Sequence, residues 1–146
     1  MFYNFLFPQR FRGNGVSLLI LCLRLFFGIL FFNHGLDKLA SVDQLADTFP
    51  DVTGLGSYMS LIVSIFCEFC CSLCLIVGLL VRITVIPMMI SMAVAFFVVH
   101  CGMVPEGELA LIYLFMFAIL YVTGPGKFSI DYLIDRKIQK ERELKQ

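Results

Sequence analysis

The stretch "SYMSLIVSIFCEFCCSLCLIVGLLV" (57–81) decides the fold. It is apolar almost throughout, and Glu68 is its only charged side chain. A helix needs about 20 predominantly apolar residues to cross the hydrocarbon core of a bilayer, and this stretch is long enough. It lacks the period-two alternation of a membrane barrel strand. The stretch therefore predicts a membrane-spanning helix with one carboxylate near its middle.

Three further runs of the same kind surround it. The chain has 146 residues, of which 60% are hydrophobic and 15% charged, and the hydrophobic share exceeds the about 45–50% usual in globular domains. The four predicted spans cover residues 16–34, 57–81, 83–103 and 108–124. We predict an all-α integral membrane four-helix bundle, with one transmembrane domain at 1–135 and a charged tail at 136–146.

The positive charges predict the orientation of this bundle. With four spans, most Lys and Arg residues fall on one side of the membrane, which the positive-inside rule makes the cytoplasmic side. They are Arg10, Arg12, Arg82, Lys127, Arg136, Lys137, Lys140, Arg142 and Lys145. Both termini are then cytoplasmic. The long loop at 35–56 becomes an outer interfacial segment, and "SIDYLIDRKIQKERELKQ" (129–146) has the helical spacing of a C-terminal amphipathic helix.

Two ionisable residues lie near the middle of predicted spans. Arg24 is in the first span and Glu68 in the second, at similar depth if the two helices are antiparallel. Charged groups within a bilayer mostly face the bundle interior, where they pair or mark a pathway. We predict an Arg24–Glu68 ion pair. A structural pair that fixes helix register and a functional pair remain equally open.

A second polar cluster is predicted at the outer ends of the helices. It contains His34, Lys38, His100, Glu106 and Glu108. Imidazoles titrate near neutral pH and suit proton transfer, and the cluster is a candidate mouth for protons or an anionic sulfur substrate. The alternative is a set of interfacial residues that cap helix ends. No metal site is predicted, because the residues lack tight ligand spacing.

Four cysteines in the second span follow helical spacing. Cys67, Cys70, Cys71 and Cys74 stand at i, i+3, i+4 and i+7, which places them on one stripe of a regular helix. Four thiolates on one helix cannot surround an ion tetrahedrally. Small residues permit close helix approach in membranes, so we favour packing over redox chemistry for this stripe.

Four segments of the chain carry short motifs in a fixed order: Arg24, Gly28, Phe31, His34, Gly35, Lys38 and Leu39; Glu68, Gly78, Leu79 and Arg82; Met92, Ala95 and His100; and Glu108, Ala110, Tyr113 and Leu114, followed by "GPGKFSID" (124–131). The order of these motifs resembles the DoxX family of small bacterial membrane proteins. The resemblance extends over about residues 16–135, although Cys71 and Ser72 stand where the family usually has two glycines.

The resemblance implies a multi-pass protein of the bacterial plasma (inner) membrane and two classes of function. The first is a membrane subunit of a quinone-linked redox system, related to sulfur or thiol chemistry. Quinone would then bind near Arg24 and Glu68, and the candidate catalytic residues are those two with His34, Lys38, His100 and Glu108. The chain has no flavin, haem or iron–sulfur motif, so it is not evidently catalytic alone.

The second class is a non-enzymatic membrane scaffold or assembly factor that docks a partner protein. Both readings predict contact with the lipid bilayer and a protein partner or a homo-oligomer. The formal net charge of zero argues against a nucleic-acid partner. A small transporter is a weaker reading, because inverted repeats and broken helices are not evident.

Overall fold

The computed structural model describes residues 13–144, and these residues form helices and connecting turns without a strand. The helices are α1 (Asn14–Ala40), α2 (Val42–Leu45), α3 (Ser57–Val77), α4 (Val81–Val99), α5 (Val104–Thr123) and α6 (Ile130–Glu143). Arg10, Arg12 and Lys145, which enter the orientation prediction, lie outside the described residues. The cytoplasmic placement of the termini stays a prediction.

The four long helices pack in an antiparallel ring. α1 packs against α3, α3 against α4, α4 against α5, and α5 returns to α1. The bundle therefore has a Gly78 end, which holds the α3–α4 turn and α6, and a His100 end, which holds the α4–α5 turn and the segment 41–56. Phe31 of α1 closes the core against Tyr113 and Phe117 of α5, with ring centroids 5.1 and 5.0 Å apart.

The outer faces of the ring are apolar. Helices α1, α3, α4 and α5 are each long and apolar enough to cross a membrane, and only 28–44% of their most apolar windows is buried inside the protein. Large side chains such as Phe26, Ile90 and Phe115 point outward. In water such surfaces would be unfavourable, whereas lipid chains cover them without cost. The predicted four-helix membrane bundle is confirmed.

The ends of the helices differ from the predicted spans. α1 continues past His34 to Ala40, and so carries Lys38 as well. α3 ends at Val77 because Gly78 adopts a left-handed conformation with φ of 79°, and Leu80 is also left-handed with φ of 49°. These two residues make the reversal so short that α4 begins at Val81.

Two π-helical stretches occur in the long helices, one in the middle of α3 and one at the end of α4. One covers Phe66–Cys70 in α3 and the other covers Ala95–Val99 in α4. Such stretches are rare and often mark functional sites. Gly35 of α1 packs directly on the first of them, because a Cβ there would lie 2.7 Å from the backbone nitrogen of Phe69. Glycine thus lets α1 approach the backbone beside Glu68.

The cysteines do not share one environment. Cys71 lies in the core, Cys67 is buried beside Glu68, and Cys70 is exposed. Cys67 and Cys71 form the buried edge of the predicted stripe, and Cys70 lies on its exposed edge at the end of the π-helical stretch. Packing remains the reading for Cys71, which stands where the DoxX resemblance expected glycine.

Candidate functional site

Every nitrogen of the Arg24 guanidinium donates to a backbone carbonyl near the Gly78 end. Its side chain is only 1% exposed. Nε donates to the carbonyl of Leu75 at 3.0 Å, and Nη2 donates to that of Ile76 at 3.1 Å. Nη1 donates to the carbonyls of Pro125 at 2.6 Å and Phe128 at 3.2 Å. One guanidinium therefore caps the C-terminal end of α3 and holds the segment that follows α5.

Asp131 adds a buried carboxylate to this end of the bundle. Its carboxylate accepts hydrogen bonds from the backbone nitrogens of Leu80 at 2.7 Å and Val81 at 3.0 Å, at the start of α4. Ser129 caps α6 by accepting from the nitrogen of Tyr132. The cation lies at a helix C-terminus and the anion at a helix N-terminus, so both match the helix dipoles. The "GPGKFSID" segment is thus an anchor for the Gly78 end.

The predicted Arg24–Glu68 ion pair is wrong. Arg24 and Lys38 are fourteen residues apart on α1, which is roughly 21 Å along a helix axis. Glu68 forms its ion pair with Lys38, at the other end of that distance. The sequence placed both charges near mid-span, but α1 extends further than predicted and brings Lys38 to Glu68 instead. A ligand near both Arg24 and Glu68 is therefore not favoured.

Glu68 keeps one oxygen without a partner. Its side chain is 2% exposed, and Oε1 accepts from the Lys38 ammonium and from the Ser64 hydroxyl, the latter at 3.1 Å. Oε2 is buried and has no hydrogen-bond partner among the described residues. Buried polar atoms are almost always paired, and a lone carboxylate oxygen is costly. This atom is the strongest sign of a ligand or proton site.

Two cavities meet at the Lys38–Glu68 pair. The smaller has a volume of about 240 Å³. The larger has a volume of about 520 Å³, which is within the range of small-molecule sites. The pair lines both cavities, and His100 does so as well. The smaller cavity is also lined by His34, Glu106 and Tyr113. The larger is mostly lined by apolar side chains of α3 and α4.

The structure brings together most of the predicted outer cluster. His34, Lys38, His100 and Glu106 share the smaller cavity, whereas Glu108 is exposed and lines neither cavity. Glu68 joins this cluster although the sequence placed it with Arg24. Among the described residues, no group of three or more His, Cys, Asp or Glu side chains could hold a metal ion.

The sequence did not predict that Tyr113 lines the candidate site or that Asp131 caps the start of α4. Tyr113 packs edge-on against His34, with ring centroids 5.9 Å apart, and lines the smaller cavity. A lone tyrosine in an apolar run gives no signal by itself. For Asp131, the signal was present in "GPGKFSID", because a serine N-cap and an early aspartate are typical helix-start residues.

The outer loop lies over the larger cavity and is held by Asp51. Its carboxylate accepts from the hydroxyl of Ser60 at 3.0 Å and from the nitrogens of Gly54 at 2.9 Å and Gly56 at 3.0 Å. Desolvation raises the pKa of Asp51, but hydrogen bonds from these groups and from Thr53 lower the pKa further, to a net value below the ordinary one. The loop is therefore anchored to the first turn of α3.

Comparison with known proteins identifies the family. The DoxX family model matches residues 19–101, more than half of the chain. The chain belongs to the DoxX family. No curated protein and no solved structure matches the chain significantly.

The DoxX match contains the central part of the site. It includes His34, Lys38, Glu68 and His100, together with Arg24 of the Gly78 end. Glu106, Tyr113 and Asp131 lie beyond the matched residues. The family resemblance found in the sequence is thus confirmed for the first three long helices.

Proposed function

We propose that this DoxX protein is the membrane subunit of a quinone-linked redox system that handles sulfur or thiol compounds. We place it in the bacterial plasma membrane, with its termini in the cytoplasm. The observation that carries the proposal is the unpartnered Glu68 Oε2, buried where two cavities meet beside Lys38. The ligand site is at Lys38 and Glu68, not at Arg24.

The residues at this junction fit a quinone head group. A quinone has carbonyl oxygens that accept hydrogen bonds and an apolar body. The Lys38 ammonium donates to Glu68 and, at 2.8 Å, to Ser64 Oγ, which leaves one proton for a ligand carbonyl. The apolar walls of the larger cavity suit the ring and its substituents.

Proton transfer is the chemistry that the chain itself supplies. Glu68 can hold a proton at Oε2, where no donor competes for it. His34, His100 and Glu106 continue from this carboxylate through the smaller cavity towards the His100 end. General acid–base groups act through direct or water-mediated contacts of this kind. We expect these residues to exchange protons between Glu68 and the outer surface.

Reduction of a quinone to a quinol takes two electrons and two protons. In this proposal a partner protein supplies the electrons by oxidising a reduced sulfur compound, and this chain supplies the protons. The partner is required because the sequence carries no flavin, haem or iron–sulfur motif of its own.

Bound quinone is the measurement that tests the proposal. The protein would be purified in mild detergent from its native membrane, extracted, and assayed for quinone. We expect near-stoichiometric quinone in the wild type and about tenfold less in Glu68→Gln, since the variant loses a charge that orients Lys38. Glu108→Gln is the matched control, because Glu108 is exposed and lines neither cavity. No quinone in the wild type would contradict the proposal.

The scaffold alternative is favoured by a different observation. Arg24 and Asp131 are buried charges whose hydrogen bonds go to the backbone at helix ends, which supports a structural role for buried charge in this protein. If Glu68 does the same, Glu68→Gln lowers the amount of folded protein without changing any ligand content. Co-purifying proteins would then identify the partner that the scaffold docks.

A further inference from the structure

We propose that the ligand enters sideways from the bilayer, between α3 and α4, and that the larger cavity holds its hydrocarbon chain. This inference rests on the proposed function and specifies its substrate class. The ligand is a lipid-soluble molecule with a hydrogen-bonding head and a long isoprenoid or alkyl chain. A small water-soluble quinone or sulfur anion would not need the larger cavity.

The larger cavity is long and runs along the two helices. Its α4 lining extends from Pro87 to Val99. Twelve residues of helix correspond to roughly 18 Å. Lys38 and Glu68 lie along this length, so a single ring beside them occupies only a fraction of it. The remaining volume has the elongated form that a chain requires.

The rim of the larger cavity is open to lipid. Val63 of α3 and Ile90 of α4 line the cavity and are also 51% and 59% exposed. Both lie on helices that span the membrane, so their exposed faces contact acyl chains. A lipid-soluble ligand can enter such a cavity directly from the bilayer, without passing the outer loop. Asp51 and its hydrogen bonds meanwhile hold that loop over the outer side.

The two cavities divide polar from apolar lining. The smaller one contains both histidines, Glu106 and Tyr113 around the ion pair. Beyond the ion pair and His100, which line both cavities, the larger one is lined mainly by apolar side chains, with four serine and threonine hydroxyls. His34, Glu106 and Tyr113 line only the smaller cavity, so most of the apolar volume lies on the other side of the Lys38–Glu68 pair. This division fits a ligand whose head and tail have opposite preferences.

The test is a comparison of two probes with the same head. Binding of decylubiquinone and of the chain-free ubiquinone head group would be measured by ultrafiltration of the purified full-length protein in one detergent. Ser91→Phe places a ring in the larger cavity, away from the smaller one. We expect Kd for decylubiquinone to rise about tenfold, the equivalent of roughly two buried methylene groups, with little change for the head group. Detergent partitioning is the same for both proteins and cancels.

Val98→Phe is the matched control. Val98 is on the same helix, is exposed, and lines neither cavity, so both probes should bind as in the wild type. Val94→Phe is a second cavity-filling variant, in case Ser91→Phe does not fold.

The outcomes separate the two proposals. A selective loss of decylubiquinone supports the chain-holding cavity. If a folded cavity-filling variant weakens both probes equally, or weakens neither, the lateral chain site is wrong while the quinone function stands. If the wild type binds neither probe, the quinone function itself is wrong, and this inference with it.

Discussion

Arg24 and Glu68 are both buried charges in membrane-spanning helices, yet their surroundings differ. Every nitrogen of the Arg24 guanidinium donates to a backbone carbonyl. In Glu68, Oε1 accepts two hydrogen bonds, whereas Oε2 has no hydrogen-bond partner among the described residues. The first charge lies against helix ends and loops, and the second against two cavities. Both charges are buried, so burial does not distinguish them. The unpaired oxygen beside two cavities is what makes Glu68 the candidate ligand-binding residue.

Removing Arg24 has the largest expected effect. Arg24→Gln leaves several buried carbonyls without a donor and Asp131 without a nearby cation, so we expect a loss of about 3–5 kcal/mol in the free energy of unfolding. Thermal unfolding in detergent, followed by circular dichroism, measures it. Arg136→Gln, at an exposed position of α6, should be close to wild type. An Arg24→Gln variant as stable as this control would mean that the Gly78 end does not depend on the network.

A pair of double-mutant cycles tests which partner Glu68 has. Lys38→Met and Glu68→Gln should be coupled by about 1–3 kcal/mol, because Lys38→Met alone leaves the buried Glu68 carboxylate without its cation. Arg24→Lys and Glu68→Gln should be additive within about 0.5 kcal/mol, because the two residues share no partner. The readout is again the free energy of unfolding. Strong coupling in the second cycle would restore the Arg24–Glu68 pair and remove the contrast drawn above.

Gly35→Ala tests whether close helix approach shapes the Glu68 site. The added methyl would lie 2.7 Å from the nitrogen of Phe69 and 2.8 Å from the carbonyl carbon of Glu68, so α1 or the π-helical stretch must move. We expect a loss of about 1–3 kcal/mol, with weaker ligand binding as a second readout. Gly15→Ala is the control on the same helix, since a Cβ there meets nothing within 4 Å. Similar stability of the two variants would argue against tight packing at Gly35.

The smallest expected effect is a pH dependence of the outer loop. Hydrogen bonds hold the pKa of Asp51 in the folded protein below its ordinary value of 3.8. A lowered pKa means that the ionised group stabilises the loop above pH 3.8, and that this stabilisation is lost as the pH falls through the folded-state value. Hydrogen exchange at Gly54 and Gly56 should therefore accelerate, relative to its intrinsic rate, only at acidic pH. Asp51→Asn should remove that pH dependence, and an unchanged profile in the variant would assign it to another group.

The sequence determined the class of the fold and most members of the outer cluster. Hydropathy alone fixes four spanning helices, because a helix must be apolar over the thickness of the bilayer. Antiparallel connectivity then brings His34, His100 and Glu106 to one end, as their positions near helix termini require. The resemblance to DoxX proteins used two of these residues, His34 and His100, as parts of longer motifs.

Only the tertiary structure decided which charges meet. The sequence indicates only how deep each residue lies along its helix. By depth alone, Arg24 is a plausible partner for Glu68. The actual choice depends on where α1 ends, on the π-helical turn that rotates Glu68, and on Gly35, which lets α1 approach the Glu68 backbone. These are packing properties without a periodic signal in the sequence. For the same reason the cavities, and the oxygen left unpaired between them, could not be predicted from the order of residues.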